Sequence, residues 1–219
     1  YDPHIPYYGA NFWEDWERPI HMAFYEKDTG SLGTEFNAGI KIYGNWSRGQ
    51  YEQRSLALYA RRSYGDSKFE YPFFEGLHYT DFENLVLRNS GQDFLISSIK
   101  DISLTSLMEG SGLEYQRYRP VATYINGEYW GMYHLREKIN EHMLASKFNI
   151  DADDITLLTA NADEIEGSNE EYVALLDYIT NTDLSIDDNF EYVKEQMDIE
   201  NYALYQATEI YISNYDWPG

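Results

Sequence analysis

The chain has 219 residues, of which 43% are hydrophobic and 17% aromatic, and it contains no cysteine. This composition predicts a globular chain of one large domain or two lobes, and it excludes disulfides, thiolate catalysis and cysteine-based zinc sites. The 38 acidic residues outnumber the 16 basic ones, so the formal net charge is −22. We therefore expect no nucleic acid and no anionic membrane surface among the partners, because binding to either needs an excess of Lys and Arg.

The first part of the chain is predicted to be rich in strands. Residues 1–17 are rich in Pro, Tyr and Trp without a clear period, which indicates an irregular arm. Apolar side chains then alternate with polar ones or form short runs, as is typical of strands. These segments are residues 19–25, 38–43, 54–61 and 84–89.

One helix and one hairpin complete this part of the chain. Residues 94–108 carry isoleucines and leucines at helical spacing, which predicts a single helix. Residues 121–125 and 129–135 flank Asn126-Gly127, the pair that most strongly favours a two-residue hairpin turn. The first 135 residues are therefore predicted to form an antiparallel sheet with one helix.

The pattern changes to helical after Leu135. Helices are predicted at residues 139–148, 172–179, 187–197 and 199–212. Ser168 and Glu171 are spaced as a capping box before the second of them. The last helix is apolar on nearly every face, which predicts that it is buried. The fold class is therefore α+β, with a sheet-rich lobe at 1–135 and a mostly helical lobe at 136–219.

Motifs along the chain resemble those of one family. They are Gly44-Asn45-Trp46-Ser47-Arg48, Gln53-Arg54-Ser55-Leu56, Leu85-Val86-Leu87-Arg88-Asn89-Ser90-Gly91, Arg119-Pro120, Asn126-Gly127-Glu128-Tyr129-Trp130-Gly131, Leu135-Arg136-Glu137-Lys138 and Asn214-Tyr215-Asp216-Trp217-Pro218. In this order they resemble the spore coat protein CotH family of atypical secreted protein kinases. The resemblance runs from about the fortieth residue to the end of the chain, and it implies that both lobes form one CotH-like domain.

The resemblance implies an atypical protein-kinase-like fold and a kinase reaction. ATP with Mg or Mn is the expected cofactor, and a protein with a Ser or Thr acceptor is the expected substrate. Asp216 is the expected catalytic residue, since it follows the last predicted helix as the hydroxyl-orienting Asp of a kinase does. The alternative for Asp216 is a loop residue after that helix that caps a neighbouring element. The family's metal ligands are expected beyond Gly219, so the catalytic loop and the helical lobe are expected to be incomplete in this fragment, which would then itself be inactive.

Cations are needed at the phosphates of a nucleotide, and three arginines are candidates. Arg48 lies on a predicted turn between strands, Arg54 stands where the family generally has Lys, and Arg88 ends a predicted buried strand. For each of them a surface ion pair is the alternative. An acid near the first helix is expected to pair with such a cation, and the sequence leaves Asp93 and Asp101 open.

Glu137 lies at the predicted crossover between the lobes, where kinases bind adenine. It is therefore a candidate for the adenine site, and capping of the first turn of the next helix is the alternative.

A rival interpretation makes the chain a non-catalytic module of a cell surface or spore coat, or of an extracellular polysaccharide-degrading assembly, with aromatic side chains for contact. Under both interpretations the expected location is extracellular, on the cell surface or in the spore coat of a bacterium.

Overall fold

The computed structural model describes residues 9–215 and 217, so Asp216 lies outside the described residues. The strands are β1 (Arg18–Tyr25), β2 (Leu32–Tyr43), β3 (Ser55–Tyr59), β4 (Phe69–Glu70), β5 (Asp81–Phe82), β6 (Asn84–Arg88), β7 (Tyr118–Ile125), β8 (Glu128–Glu137), β9 (Leu157–Leu158) and β10 (Glu164–Glu166). The α-helices are α1 (Trp46–Gln50), α2 (Lys100–Ser106), α3 (Glu141–Phe148), α4 (Glu170–Asn181), α5 (Asp187–Gln196) and α6 (Ile199–Tyr211). Within these residues the chain mixes helices with antiparallel strands, which confirms the fold class at that level.

The main sheet has six strands within the described residues, in the order β1-β2-β3-β6-β8-β7. Every neighbouring pair is antiparallel. The four strands predicted from alternation or from a short apolar run all lie in this sheet. The apolar run of β6 is explained by cover on both faces of the sheet, since Leu85 and Val86 point to opposite faces and both are buried.

The hairpin between β7 and β8 turns at the predicted pair. Asn126 has a φ of 52° and Gly127 a φ of 84°. Positive φ at both central residues defines the turn whose twist matches that of the flanking strands. The hairpin register places Ile125 opposite Glu128 and Arg119 opposite Leu135.

The core of the sheet is mainly aromatic. Phe69, Phe73 and Phe82 are almost fully buried and pack with Leu58 and Leu85. The ring centroids of Phe73 and Phe82 are 5.9 Å apart, at an angle of 64°. Each such side chain contributes about 1.5–3 kcal/mol by leaving water, so the segment around β4 and β5 stabilises the sheet although its strands are short.

Helix α2 is shorter than the predicted helix at 94–108. The carboxylate of Asp93 accepts hydrogen bonds from the Ser97 and Lys100 backbone N–H groups at 3.3 and 2.8 Å. Ser98 has a φ of 59°, so the chain is not helical there. A side chain that offers the backbone alternative hydrogen bonds delays the start of a helix, and the regular helix therefore begins at Lys100.

The chain divides into two compact units. The first holds the described residues up to Ser106 together with Gln116–Asn149, and it contains the main sheet with α1, α2 and α3. The second holds Leu107–Tyr115 and the described residues from Ile150 onward, with α4, α5 and α6. The predicted lobe boundary after residue 135 stays a prediction.

The predicted burial of the last helix is wrong. Asp198 caps α6 by accepting a hydrogen bond from the Asn201 N–H at 2.9 Å, and the helix then runs to Tyr211. No described residue of α6 is buried, and Ile210 is 66% exposed. Among its described residues the second unit buries only two hydrophobic side chains, those of Ile155 and Val193. A helix that is apolar all round needs cover on several sides, and this unit provides too little.

The helix after Ser168 forms as α4, but without the predicted capping box. Its N-cap residue is Asn169, and the Ser168 hydroxyl accepts the N–H of Glu170 at 3.3 Å. No helix among the described residues combines the length and the apolarity that crossing a membrane requires.

Candidate functional site

One carboxylate is shared by two arginines on the inner strands β6 and β8, next to α2. Arg88 is the last residue of β6, and its Nε donates to Asp101 Oδ2 at 3.0 Å. Arg136 lies on β8, opposite Val86, and its Nη1 donates to the same oxygen. Val86 and Arg88 are two residues apart, so both guanidinium groups lie on one face of the sheet. The first turn of α2 brings Asp101 to that face.

This cluster carries more positive than negative charge. Arg136 is 3% exposed, whereas Arg88 is 38% exposed. Burial lowers the pKa of Arg136, and the Asp101 carboxylate opposes that shift. Among the described residues, Nε of Arg136 is buried without a hydrogen-bond partner. The buried guanidinium of Arg136 therefore depends more strongly on the Asp101 carboxylate than Arg88 does. The partly exposed Arg88 is the cation that can contact another anion.

The histidine next to this cluster is buried. His134 is paired with Arg88 across the strands, and its Nδ1 lies 3.3 Å from the Ser90 hydroxyl. That hydroxyl donates to the carbonyl of Ser98 at 2.7 Å, so it can accept a hydrogen bond from Nδ1. Burial lowers the pKa of His134, and the charge of Arg136 lowers it further.

The depressed pKa of His134 predicts a pH dependence of stability. A histidine in the unfolded state has a pKa of about 6.5, so just below this pH the unfolded state binds a proton that the folded state does not. The contribution of neutral His134 to the free energy of unfolding is therefore fully present above about pH 6.5. It is lost as pH falls through the lower pKa of the folded state. In urea unfolding at about pH 7.5 and about pH 5.5, we expect His134→Asn to lose less stability between the two than the wild type. His78→Asn, at an exposed histidine, should retain the wild-type loss, and an equal loss in all three proteins would contradict the assignment.

Arg48 and Arg54 lie at the same end of the sheet as Arg88. Arg54 immediately precedes β3, and Ser55 at the start of that strand donates to Asn89 Oδ1 at 2.9 Å. Asn89 directly follows Arg88, so the pairing of β3 with β6 holds Arg54 and Arg88 at the same end of the sheet. Arg48 lies on α1, in the connection between β2 and β3. The predicted turn at this place is therefore a one-turn helix.

Both of these arginines contact backbone carbonyls. Arg48 donates from Nε to the carbonyl of Phe12 at 2.5 Å and from Nη2 to that of Glu14 at 3.2 Å. Arg54 donates from Nε to the carbonyl of Arg48 at 2.9 Å and from Nη1 to that of Glu52 at 3.1 Å. These contacts of Arg48 and Arg54 go to neutral carbonyl oxygens, whereas Arg88 forms an ion pair with Asp101.

Glu137 lies away from the end of the sheet that holds Arg48, Arg54 and Arg88. Glu137 is paired with Leu85 and lies three residues along β8 from His134, the residue paired with Arg88. At the usual rise of a strand this separation is about 10 Å. The side chain is 1% exposed and accepts hydrogen bonds from the Tyr79 hydroxyl and from the Arg117 N–H, the latter at 2.9 Å. It does not cap α3, because Asn140 does so by accepting the Met143 N–H at 3.0 Å.

A small cavity beside Glu137 has room for about one water molecule. Its lining includes Tyr79, Glu83, Lys138 and Asn140. The backbone carbonyl of Glu137 accepts a hydrogen bond from Gln116 Nε2 at 2.7 Å. An adenine ring does not fit in this cavity as it stands, and the place of Glu137 near a nucleotide stays a prediction.

The residues that sequence reasoning missed are Arg136 and His134. Arg136 lies inside a recognised motif, but no spacing in the sequence marks it as the partner of Asp101. Of the two acids left open, Asp101 pairs with Arg88, whereas Asp93 caps the turn before α2. Among the described residues no group of three or more His, Cys, Asp or Glu is arranged to hold a metal ion.

The fold and this cluster define a mixed α and β protein in which one acid, Asp101, pairs with two arginines. The family model described as CotH kinase protein matches residues 40–219. The match covers most of the chain and includes all of the arginines discussed above, and the chain belongs to this family. No curated protein matches the chain.

Proposed function

We propose that this chain is an atypical kinase of the CotH type, with a sheet-rich and a helical lobe. It transfers the γ-phosphate of ATP to Ser or Thr hydroxyls of secreted or spore-coat proteins. Membership of the family supports a kinase-like function. The single observation that carries the proposal further is the ion pair between Arg88 at the end of β6 and Asp101 on α2.

Phosphoryl transfer depends on positioning and on cations near the phosphates. In protein kinases a strand Lys is held by an acid on the helix that follows. Arg88 and Asp101 have the corresponding places on a strand and on the next α-helix of this chain. Arg136 already neutralises Asp101, so the charge of Arg88 is available to a phosphate, and an Arg can bind a phosphate through two hydrogen bonds.

The other predicted residues have narrower roles in the proposal. Arg48 and Arg54 bind the outer phosphates at the same end of the sheet, and Glu137 lies near the adenine. Asp216, outside the described residues, orients the accepting hydroxyl. Within the described part of the chain, no three or more His, Cys, Asp or Glu side chains are grouped to hold Mg or Mn.

A titration with ATP tests the role of Arg88. We expect Arg88→Ala to weaken the binding of ATP with Mg by about 10- to 100-fold, since a hydrogen bond to a charged group is worth about 1.5–3 kcal/mol. The affinity for adenosine should not change. Arg62→Ala, at an exposed arginine in the turn after β3, is the matched control. Equal ATP affinity in all three proteins would contradict the proposal.

A non-catalytic surface module remains the second candidate, because the β7–β8 hairpin exposes aromatic side chains. Tyr124 is 64%, Tyr129 56% and Trp130 48% exposed. Such rings can contact a glycan or a protein. Thermal unfolding separates the two candidates: a rise in Tm with ATP and Mg supports the kinase, and a rise with soluble oligosaccharides alone supports the module.

A further inference from the structure

Residues 10–14, called the strap below, cover the guanidinium groups of Arg48 and Arg54. The strap contains a single turn of 3-10 helix, Asn11–Trp13. Arg48 donates to two of its carbonyls, those of Phe12 and Glu14. The guanidinium carbon of Arg54 lies 3.8 Å from the centroid of the Phe12 ring, which is the geometry of a cation–π contact.

The chain is fixed just after the strap. Glu17 accepts two hydrogen bonds from Arg61, at 2.8 and 3.0 Å, and Asp15 forms an ion pair with Lys41. These contacts hold the chain to β2 and to the end of β3, whereas the contacts just described hold the strap to Arg48 and Arg54. The strap can therefore detach from these two arginines while the chain at Glu17 stays in place.

The carbonyl oxygens of Phe12 and Glu14 accept the hydrogen bonds of Arg48 Nε and Nη2, which are donors that a phosphate would also use. A carbonyl is a neutral acceptor, whereas a phosphate is a charged acceptor that can bind an arginine through two parallel hydrogen bonds. The strap also lies outside residues 40–219, the part matched by the family model. Its contact with Arg48 and Arg54 is thus a feature of this chain that the family match does not contain.

We infer that the strap is an autoinhibitory segment that competes with the phosphates of a nucleotide for Arg48 and Arg54. This inference rests on the proposed function, because it needs nucleotide binding at these arginines. At equilibrium the strap is detached in only a fraction of the molecules. Only these molecules bind phosphate at full affinity through Arg48 and Arg54. The apparent affinity is reduced by that fraction, and weakening the strap restores it.

Substitutions of Phe12 in the full chain test the inference. Phe12→Ala removes the ring, and Phe12→Leu keeps an apolar side chain but removes the π face. Each should tighten binding of ATP with Mg by about two- to fivefold, the equivalent of one exposed cation–π contact. Inorganic tripolyphosphate should show the same gain and adenosine none. Trp16→Ala is the matched control, because Trp16 is an exposed aromatic residue of the same arm that contacts Arg18 instead.

Hydrogen exchange gives a second readout that does not depend on affinity. The Trp13 and Glu14 N–H groups donate to the carbonyls of Ala10 and Asn11 within the strap. We expect both amides to exchange faster when ATP or tripolyphosphate is bound. Unchanged exchange would overturn the inference.

The affinity outcomes separate the two proposals. If the wild type binds ATP, and the Phe12 variants bind it equally or more weakly, the strap inference is overturned and the proposed function stands. If no variant binds ATP or tripolyphosphate, both are overturned. Tighter binding in the Phe12 variants but not in Trp16→Ala supports both.

Discussion

Replacing Asp101 by Ala is expected to lower the free energy of unfolding by about 3–5 kcal/mol, the usual cost of leaving a buried charge without its partner. Arg136 is 3% exposed, and it forms an ion pair with Asp101. The substitution leaves its guanidinium with the weak contact to Thr105, at 3.4 Å. Arg88 is partly exposed and can be hydrated instead. Urea unfolding at neutral pH measures the change.

Two further variants test whether the loss of stability comes from the buried charge of Arg136. Asp81→Ala breaks the half-buried ion pair with Lys68 and should cost no more than about 1 kcal/mol. The double substitution of Asp101 by Ala and Arg136 by Met removes both charges, so it should recover most of the loss. An Asp101→Ala variant as stable as the wild type would contradict the account of the cluster.

The features of the fold that could be predicted from the sequence depend on local pattern. Alternation of side chains indicated the strands of the main sheet, and Asn126-Gly127 indicated the hairpin. The start of α2 could not be predicted, because it depends on the side chain of Asp93 bonding backbone groups four and seven residues ahead. The exposure of α6 could not be predicted either, because it depends on how much of the second unit surrounds that helix.

In the candidate site, too, the features that depend on local pattern could be predicted, and those that depend on contacts distant in sequence could not. Arg88 was predicted as a cation at the end of a strand, and the strand register places it there. The choice between Asp93 and Asp101 required the position of α2 relative to the sheet. The contacts of Arg48 with Phe12 and Glu14 join residues more than thirty positions apart, and no periodicity in the sequence encodes such a contact.

The second large effect is expected at Asp216, which lies outside the described residues and follows α6. If it orients the accepting hydroxyl, Asp216→Ala should lower phosphoryl transfer at least about 100-fold, as loss of a positioned general base does. ATP affinity should change little, because Arg88 and its neighbours hold the phosphates. Asp187→Ala, at an exposed acid in the first turn of α5, is the control and should retain activity.

The most direct measurement is transfer of radiolabelled γ-phosphate from ATP to Ser or Thr of a protein acceptor. It is made with the full natural polypeptide, in Mg and in Mn, and with Asp216→Ala beside the wild type. The account predicts labelled phosphoserine or phosphothreonine with the wild type and at least about a 100-fold loss with the variant. No transfer with either metal, or equal transfer by the variant, would contradict it.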